Sequence, residues 1–413
     1  MTEKFTSAIH SSSIGTSQAQ NKSQSVISLP KGGGALKGIG ETFQPNLFSG
    51  TGNHSIPIAI SPGRNGFGPT LSLQYSSGNG NGPFGLGWQL SIPRITRKTE
   101  KGLPKYDDTD VFVMSGAEDL VPCLKKVVDP ASGQEIWLPE DPTIRQHHTV
   151  YRYRPRTEGL FARIERWVHN TTHEVHWRAT TRDNITSIYG RTSASRIADP
   201  ENGQRVYEWL LEETFDAIGN YILYEYARDN PQLYTNEDPA PGLNEIFEHN
   251  RNATQLYNRR IYYGNFPDPL LDENGHAVKY PNGTDIGHKR KGGRYAFEVV
   301  FDYSDWDVPT KIPHPGPVPA GQQELFGPDP SLSSEHNPVP VREDRFSNFR
   351  GRFEVRTLRR CRRVLMFHHF AELGSPTLVR STNFAYRTDP DTVLSFLAAG
   401  PQRPECSADR HIR

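Results

Sequence analysis

Glycine is concentrated at two places in the first quarter of the chain, and this limits what can form there. Pro30–Gly38 reads PKGGGALKG, and Gly78–Trp88 reads GNGNGPFGLGW. Because glycine loses much backbone entropy on folding and adds no core side chain, such density is useful only at sharp turns or close strand approaches. Ile56–Ile60, Leu71–Tyr75 and Trp88–Ile92 each place an apolar residue at every second position, as half-buried strands do. We therefore expect short β-strands joined by glycine corners.

Further strand-like runs continue to about residue 387, rich in the aromatic and β-branched residues that favour pleated, half-buried surfaces. These runs are Val111–Val113, Val150–Tyr153, Phe161–Val168, Val175–Trp177, Ile185–Tyr189, Tyr207–Phe215, Tyr221–Tyr226, Arg260–Tyr263, Tyr295–Tyr303, Phe353–Leu358, Arg363–Phe370 and Leu378–Tyr386. The loop Asp216–Asn220 carries Gly219-Asn220 and predicts a tight hairpin. Helical periodicity is confined to Leu243–His249. The sequence predicts an all-β fold of antiparallel sheets, sandwich-like or shell-like, with long Gly/Pro-rich loops and little helix.

Composition divides the chain into three predicted parts. Residues 1–27 are polar and have too little apolar surface to offset the cost of ordering, so we expect a disordered tail. Residues 28–390 form the β-rich domain, which includes a proline-rich surface linker at Val308–Pro340. Residues 391–413 are predicted to be an aberrant or truncated tail.

Charge and cysteine content exclude several classes of function. Lys plus Arg and Asp plus Glu both number 47, so no overall field attracts nucleic acid or an anionic membrane. No stretch approaches the roughly 18 apolar residues of a membrane span, and the N-terminus lacks the apolar core of a Sec signal peptide. The three cysteines, Cys123, Cys361 and Cys406, are too far apart for a disulfide framework or a zinc site. We expect Cys361 to be a free, buried thiol.

Two motifs resemble binding loops in residue pattern but lack features that such loops need. Gly80–Gly85 fits the dinucleotide pattern G-x-G-x-x-G, but that site needs a helix to begin at the loop. Pro83 and Gly87 interrupt such a helix, and Trp88 begins a strand instead. Asp107–Asp110 lacks the glycine and the distal acid of a calcium loop.

Histidine and ADP-ribosyltransferase patterns are also incomplete. His169, His173 and His176 lie near Glu174, but the segment is strand-like, so we expect solvated strand histidines and no metal site. His368 and His369 are expected to be one buried and one exposed. A transferase would need an arginine, then a strand Ser-Thr-Ser, then an acidic E-x-E or Q-x-E turn. Gln322–Glu324 resembles the last element, yet Ser381–Asn383 follows it when it should precede it.

The only strong basic cluster is Arg359, Arg360, Arg362 and Arg363 around Cys361. On a strand these residues alternate between faces, which favours a protected sheet edge or a packing interface. The sequence therefore predicts no catalytic, cofactor-binding or metal-binding residue and no cofactor.

Several blocks together resemble a known family, the N-terminal domain of the SpvB proteins (Salmonella virulence plasmid B), which is shared with the B components (TcdB/TcaC-like) of tripartite insecticidal toxin complexes. The resemblance covers roughly Ser28–Tyr386 and fades after Ser395–Leu397. The blocks that carry it are Ser28–Glu41, Gly50–Gly52, Ile56–Ile58, Ser61–Arg64, Gly82–Trp88, Tyr106–Asp110, Met114–Gly116, Trp209–Leu211, Asp216–Tyr226, Gly351–Thr357 and Val364–His368.

The resemblance implies a non-enzymatic scaffold domain of a secreted bacterial virulence or insecticidal toxin component. Such a domain forms part of the casing that encloses a toxic partner, and its partners are the A and C components of the complex. The alternative is the N-terminal translocation or secretion domain of an SpvB-type actin ADP-ribosyltransferase whose catalytic domain is missing here. A sugar-binding β-module is a third hypothesis. Both family roles imply export by a non-Sec route, and a protein that can reach the host cytoplasm.

Overall fold

The computed structural model describes residues 42–46, 50–115, 119–157, 159, 161–228, 254–266, 295–303, 342–373 and 376–402. Within these ranges the protein is almost wholly β, with short 3-10 turns at Arg64–Gly66, Ser193–Ser195 and Ala371–Leu373. Four predicted features lie outside the described residues. They are the N-terminal tail at residues 1–27, the first block of the family resemblance at Ser28–Glu41, the helix at Leu243–His249 and the linker at Val308–Pro340. The predicted domain boundaries stay predictions.

The described part contains 24 strands. In chain order they are β1 Thr42–Asn46, β2 Thr51–Pro57, β3 Ser72–Ser76, β4 Trp88–Leu90, β5 Arg94–Arg97, β6 Phe112–Met114, β7 Asp119–Pro122, β8 Leu124–Val128, β9 Glu135–Pro139, β10 Thr143–Arg145, β11 His148–Pro155, β12 Arg163–His169, β13 Val175–Thr180, β14 Thr186–Tyr189, β15 Arg196–Asp199, β16 Asn202–Phe215, β17 Tyr221–Arg228, β18 Leu256–Asn265, β19 Tyr295–Asp302, β20 Phe346–Asn348, β21 Val355–Thr357, β22 Arg363–His368, β23 Thr377–Thr388 and β24 Ser395–Gln402.

Eight of these strands close into a barrel. Following hydrogen-bonded neighbours, the ring runs β16-β5-β6-β7-β11-β12-β13-β14 and returns to β16. Strand β16 is long enough to close it, because Glu208 pairs with Thr96 of β5 while Phe215 pairs with Thr186 of β14. The all-β class predicted from the sequence is confirmed, and the sheet pairings are antiparallel.

Aromatic side chains fill the barrel. Phe112, Tyr153, Trp177 and Trp209 come from four different barrel strands, and their rings contact one another. The ring centroids of Phe112 and Trp177 are 4.8 Å apart, those of Tyr153 and Trp177 5.1 Å, and those of Trp177 and Trp209 6.1 Å. Both tryptophans are fully buried. As in other small barrels, the interior is a packed core and not a channel.

A second sheet extends from the barrel in the order β17-β18-β19-β22-β23-β24. It begins at the predicted hairpin, which is confirmed. Gly219 has φ +92°, and Asp216 Oδ1 accepts a hydrogen bond from the Asn220 backbone N–H at 2.9 Å. Strand β24 lies within the predicted C-terminal tail, and it pairs with β23. The family resemblance fades where β24 begins, and no strand was predicted there.

A separate four-stranded sheet, β1-β2-β3-β4, packs on the same core. Buried residues of this sheet and its flanks, including Ile56, Ile58, Leu71 and Leu73, belong to the hydrophobic cluster that contains the barrel interior. The strand β4 is the last in this sheet, and the chain passes from it directly into β5 of the barrel. This connection brings the second glycine-rich segment next to both sheets.

Candidate functional site

The glycine corner, defined here as Gly78–Trp88, links the four-stranded sheet to β24. Gly87 has φ +82°, and a Cβ placed there would lie 2.4 Å from the Tyr75 ring. Gly85 has φ +88°, and its Cβ would lie 2.9 Å from the Ser395 carbonyl oxygen. The Leu86 backbone N–H donates to that same carbonyl at 2.9 Å. These glycines are therefore required by close approach and by left-handed backbone geometry.

A buried ion pair holds the corner. Arg342 Nε and Nη2 each lie 2.7 Å from an oxygen of Asp344, and the two side chains are 0% and 2% exposed. Arg342 also donates to the Gly82 carbonyl at 2.7 Å and to Asn81 Oδ1 at 2.8 Å. Asp344 Oδ2 accepts from Asn81 Nδ2 at 2.9 Å and from the Ser395 backbone N–H at 2.8 Å.

These bonds determine the ionisation of Asp344. Burial alone would raise its pKa, but the hydrogen bonds and positive charge of Arg342, with Asn81 and the Ser395 N–H, lower the pKa well below its ordinary value. The group is thus a charged structural clamp, since each oxygen is already used by a protein donor. Sequence patterns could not find it, because Asn81 and Asp344 are 263 positions apart.

A cavity of about 420 Å³ lies beside the corner, within the size range of small-ligand sites. Its walls come from the corner, β4, β16, the first residues of β18 and the β20–β21 ribbon. The lining includes aromatic side chains and several amides, together with Arg94, Glu208 and Arg350. Within the described ranges, no group of three or more His, Cys, Asp or Glu residues is arranged to hold a metal ion.

The dinucleotide-like motif Gly80–Gly85 lies in this corner. The chain continues from there into strand β4 at Trp88, as the sequence predicted. Likewise, Asp107 and Asp110 serve local structure. Asp110 Oδ2 accepts hydrogen bonds from the Arg97 guanidinium at 2.5 Å and from the Tyr106 backbone N–H at 2.7 Å. Asp107 Oδ1 accepts a hydrogen bond from the Thr109 backbone N–H at 2.8 Å.

The histidines near Glu174 differ from the prediction. His169 ends β12 and His173 lies in the following turn at φ +59°, so only His176 is in β13. The prediction that these histidines are solvated is wrong for His176, which is 5% exposed. The cause is tertiary packing, because the His176 ring stacks on Trp167 at 5.7 Å and its Nε2 accepts Arg178 Nε at 3.2 Å. Burial, together with the charge of Arg178, lowers the pKa of His176 well below 6.5.

His368 and His369 are both half-buried, so the predicted division into one buried and one exposed histidine is wrong. His368 ends β22, His369 follows it, and each has a partner. The nitrogen Nε2 of His368 is 2.7 Å from Ser61 Oγ, and that of His369 is 2.7 Å from Glu298 Oε2. Both rings are explained by these structural contacts.

The arginine cluster belongs to the interior and not to a sheet edge, which corrects one of the two predicted alternatives. Arg363 lies in β22, between β19 and β23, and its Nε is 2.5 Å from Asp302 Oδ2. Arg359 is 2% exposed, stacks over the Tyr257 ring at 5.2 Å and donates to the Arg228 carbonyl at 3.2 Å. The packing-interface alternative fits these contacts.

The remaining predictions concern the cysteines and the two transferase-like motifs. Cys361 is a free, fully buried thiol, as expected, and burial raises its pKa well above the ordinary value. Cys123 is half-buried and Cys406 lies outside the described residues. Ser381–Asn383 lies on β23, where Ser381 Oγ donates to Asn383 Oδ1 at 2.6 Å. Gln322–Glu324 lies outside the described residues.

Comparison with known families and curated proteins gives consistent matches. Residues 46–370 match the family described as Salmonella virulence plasmid 65kDa B protein. The mono(ADP-ribosyl)transferase SpvB of Salmonella typhimurium is 34% identical over 364 residues, which are 88% of this chain and 54% of that protein. The SpvB of Salmonella choleraesuis strain SC-B67 is 33% identical over 90% of this chain and 56% of that protein. The chain thus spans about half the length of these relatives.

Solved structures of SpvB and of toxin-complex chains also match this chain. The N-terminal domain of effector protein SpvB from S. typhimurium strain LT2 has a TM-score of 0.62 at 32% identity, covering 84% of this chain and 96% of that one. The TcdB2-TccC3 crystal structure has a TM-score of 0.61 at 30% identity, covering 87% of this chain but 16% of the other. The Photorhabdus luminescens Tc holotoxin pore has a TM-score of 0.64 at 30% identity and covers 92% and 16%.

Taken with the geometry, these matches define what the site can do. The glycine corner is a structural joint clamped by Arg342 and Asp344, and the adjoining cavity of about 420 Å³ has room for a small ligand. In the described part of the chain, no helix has the length and apolarity needed to cross a membrane.

Proposed function

The chain belongs to the Salmonella virulence plasmid 65kDa B protein family, and from this premise we propose that it is a non-catalytic scaffold of a toxin complex. In this role it forms part of a casing that encloses and presents a toxic partner. The observation that carries the proposal is the match to TcdB2-TccC3 chains over about nine tenths of this chain, at TM-scores of 0.61 and 0.62.

The packing of the barrel and the corner favours a structural role over a catalytic one. The barrel interior is occupied by Phe112, Tyr153, Trp177 and Trp209, which leaves no internal channel. The charged groups of the corner are each saturated by protein partners, as at Arg342 and Asp344. A nucleophile or a general base needs a group that is free to contact substrate, and these groups are not.

A second role is favoured by a different observation. The curated relatives at 33–34% identity are mono(ADP-ribosyl)transferases, and an SpvB N-terminal domain matches over 96% of its own length. In that role this region would be the translocation or secretion domain of a longer effector, with the transferase carried elsewhere. In either role, the chain is secreted and acts in virulence.

A chimera tests the casing role. This chain replaces the matching region, about 16% of the relative, in a TcdB2-TccC3 chain. The chimera is expected to assemble and to protect the hypervariable C-terminal region of TccC3 from added protease to the same extent as the parent measured alongside it. A control chimera carries Trp209→Ala, which removes a fully buried ring and should lose protection. A folded chimera that leaves the TccC3 region exposed to protease would contradict the proposal.

A further inference from the structure

The cavity beside the glycine corner runs along an unpaired strand edge. In the described part of the chain, β4 is the last strand of its sheet and pairs with β3 alone. Trp88 and Leu90 lie on one face of β4 and Gln89 lies on the other, yet all three line the cavity. Because residues from both faces border the same space, that space follows the edge of the strand.

The hydrogen-bond pattern shows which backbone groups face this edge. The Ser91 N–H donates to the Ser72 carbonyl at 2.9 Å, and the Ser76 N–H donates to the Gly87 carbonyl at 3.0 Å. Hydrogen-bonded and non-hydrogen-bonded pairs alternate along an antiparallel ladder. Trp88 and Leu90, which oppose Tyr75 and Leu73, are therefore in non-hydrogen-bonded pairs. Their backbone groups point away from β3. The Trp88 N–H donates to the Gly85 carbonyl at 3.4 Å, so Leu90 is the residue of β4 that presents both its N–H and its C=O there.

The start of β18 forms the opposite wall. Residues 255–258, four in succession, line the cavity. Leu256, Tyr257 and Asn258 pair with β17. One face of the β20–β21 ribbon closes the space through Phe346, Asn348, Val355 and Thr357.

From this geometry we propose that the cavity binds an extended polypeptide segment, which adds as a strand to the free edge of β4. Backbone groups on strand edges recognise peptide backbone, and neighbouring pockets take alternate side chains. Strand β4 has three residues, which span about 10 Å at ~3.3 Å per residue, so a segment of similar length fits.

Side chains of the lining define which segment fits. Trp88, Leu90 and Leu256 offer apolar contacts. Arg94 lies 3.8 Å from Glu208, so these two charges largely offset one another, while the exposed Arg350 adds a positive charge. The occupant is therefore an apolar segment that is neutral or acidic. This site does not depend on the casing role, because it needs only the β4 edge.

The test is a selection of phage-displayed random heptapeptides on the immobilised full chain, followed by measurement of each Kd by fluorescence polarisation. The recovered peptides are then resynthesised with single backbone N-methyl groups. Strand addition uses every second peptide N–H, so methylation at alternate positions should weaken binding about tenfold, and methylation at the positions between should change Kd less than about twofold.

A blocking variant localises the site. Asn348→Trp should fill the cavity and abolish binding, whereas Gln134→Trp, in the exposed β8–β9 turn, should leave the Kd unchanged. Circular dichroism and thermal melting check that both variants fold. The proposal is overturned if no peptide is recovered, if N-methylation shows no alternation, or if folded Asn348→Trp binds like the parent. Retention of a glycan in the cavity in place of peptides would also overturn it.

Discussion

The barrel and the glycine corner are both buried, but different forces hold them together. The barrel encloses aromatic rings, with Trp177 and Trp209 fully buried among neighbouring rings. The corner encloses charge, and Arg342 and Asp344 supply most of its long-range bonds. Apolar packing tolerates changes in pH but not in volume, whereas a buried ion pair depends on both partners being present. The molecule therefore has one part that is sensitive to cavities and another that is sensitive to charge.

The largest expected effect is in the barrel. Trp209→Ala removes a fully buried ring and the Nε1–H bond to the Val175 carbonyl at 2.8 Å. We expect the free energy of unfolding to fall by about 3–5 kcal/mol, as for other large-to-small core changes. Urea unfolding followed by far-UV circular dichroism measures it. A loss below about 1 kcal/mol would mean that the barrel interior is not a packed core.

The corner should respond to loss of one charge. Arg342→Met leaves Asp344 buried without its counter-charge, and breaking such a pair costs about 3–5 kcal/mol. Amide hydrogen exchange at Gly85–Trp88 should rise in this variant, because Arg342 and Asp344 bond the corner and β24. The double variant Arg342→Met/Asp344→Leu should be destabilised by less than the sum of the two single variants. Strict additivity would show that the two side chains are not coupled.

Two glycines of the corner give a matched comparison. Gly87→Ala combines φ +82° with a Cβ 2.4 Å from the Tyr75 ring, so we expect a loss of roughly 1–3 kcal/mol. A Cβ at Gly80 would meet nothing within 4 Å, and Gly80→Ala should change stability by about 0.5 kcal/mol or less. Thermal and urea unfolding of both variants check this. Equal losses would mean that the corner needs flexibility and not these particular conformations.

As the pH falls, the barrel should lose stability before the glycine corner does. Burial and the nearby Arg178 lower the pKa of folded His176, so the unfolded chain binds a proton more readily as pH falls below about 6.5. This contribution to stability is present above that pH and is lost below it. The lowered pKa of Asp344 works in the same direction, but only below about pH 4.

Unfolding curves measured from pH 7.5 to pH 5.5 test this order. The variant His176→Phe should show a flatter dependence on pH than the parent, while His147→Phe, at an exposed position, should follow the parent. The groups nearest to His176 are His148, with ring centroids 5.4 Å apart, Trp167 and Arg178, and the charges of Arg191 and Arg196 also lower the pKa of His176. A parent whose stability does not change over this range would contradict the assignment.

The smallest effect is expected outside both regions, on the β8–β9 ribbon. Trp137 is 59% exposed, and Lys126 Nζ lies 5.5 Å from its ring. Trp137→Ala should therefore cost no more than about 1 kcal/mol, the size of an exposed cation–π contact. Urea unfolding beside Trp209→Ala compares an exposed and a buried tryptophan directly. A loss as large as that of Trp209→Ala would mean that the ribbon is part of the core.

Local signals in the sequence were sufficient for strands such as β16 and β17 and for the Asp216–Asn220 hairpin. Alternating apolar residues and turn-forming residues act over a few positions, and the structure keeps them. Barrel closure needed the pairing of β14 with β16, and no local pattern specifies that register. Short strands such as β5 and β10, with three or four residues, carry too few alternations to be recognised.

The candidate site was less accessible to sequence analysis than the fold. The glycine corner was recognised from its density of glycine, but its clamp joins Asn81 to Asp344 across 263 positions. His176 was assigned to solvent because strand periodicity alone cannot show that Trp167 and Arg178 cover it. The cavity arises where β4, β16 and β18 meet, which is a property of the tertiary arrangement.

An NAD⁺ hydrolysis assay on the purified chain tests the central claim most directly, since that claim assigns this region a structural role without chemistry of its own. Nicotinamide release is followed with and without actin as an acceptor. The account predicts release no faster than with heat-denatured chain. Release that rises in proportion to the concentration of folded chain, or transfer of ADP-ribose to actin, would contradict it.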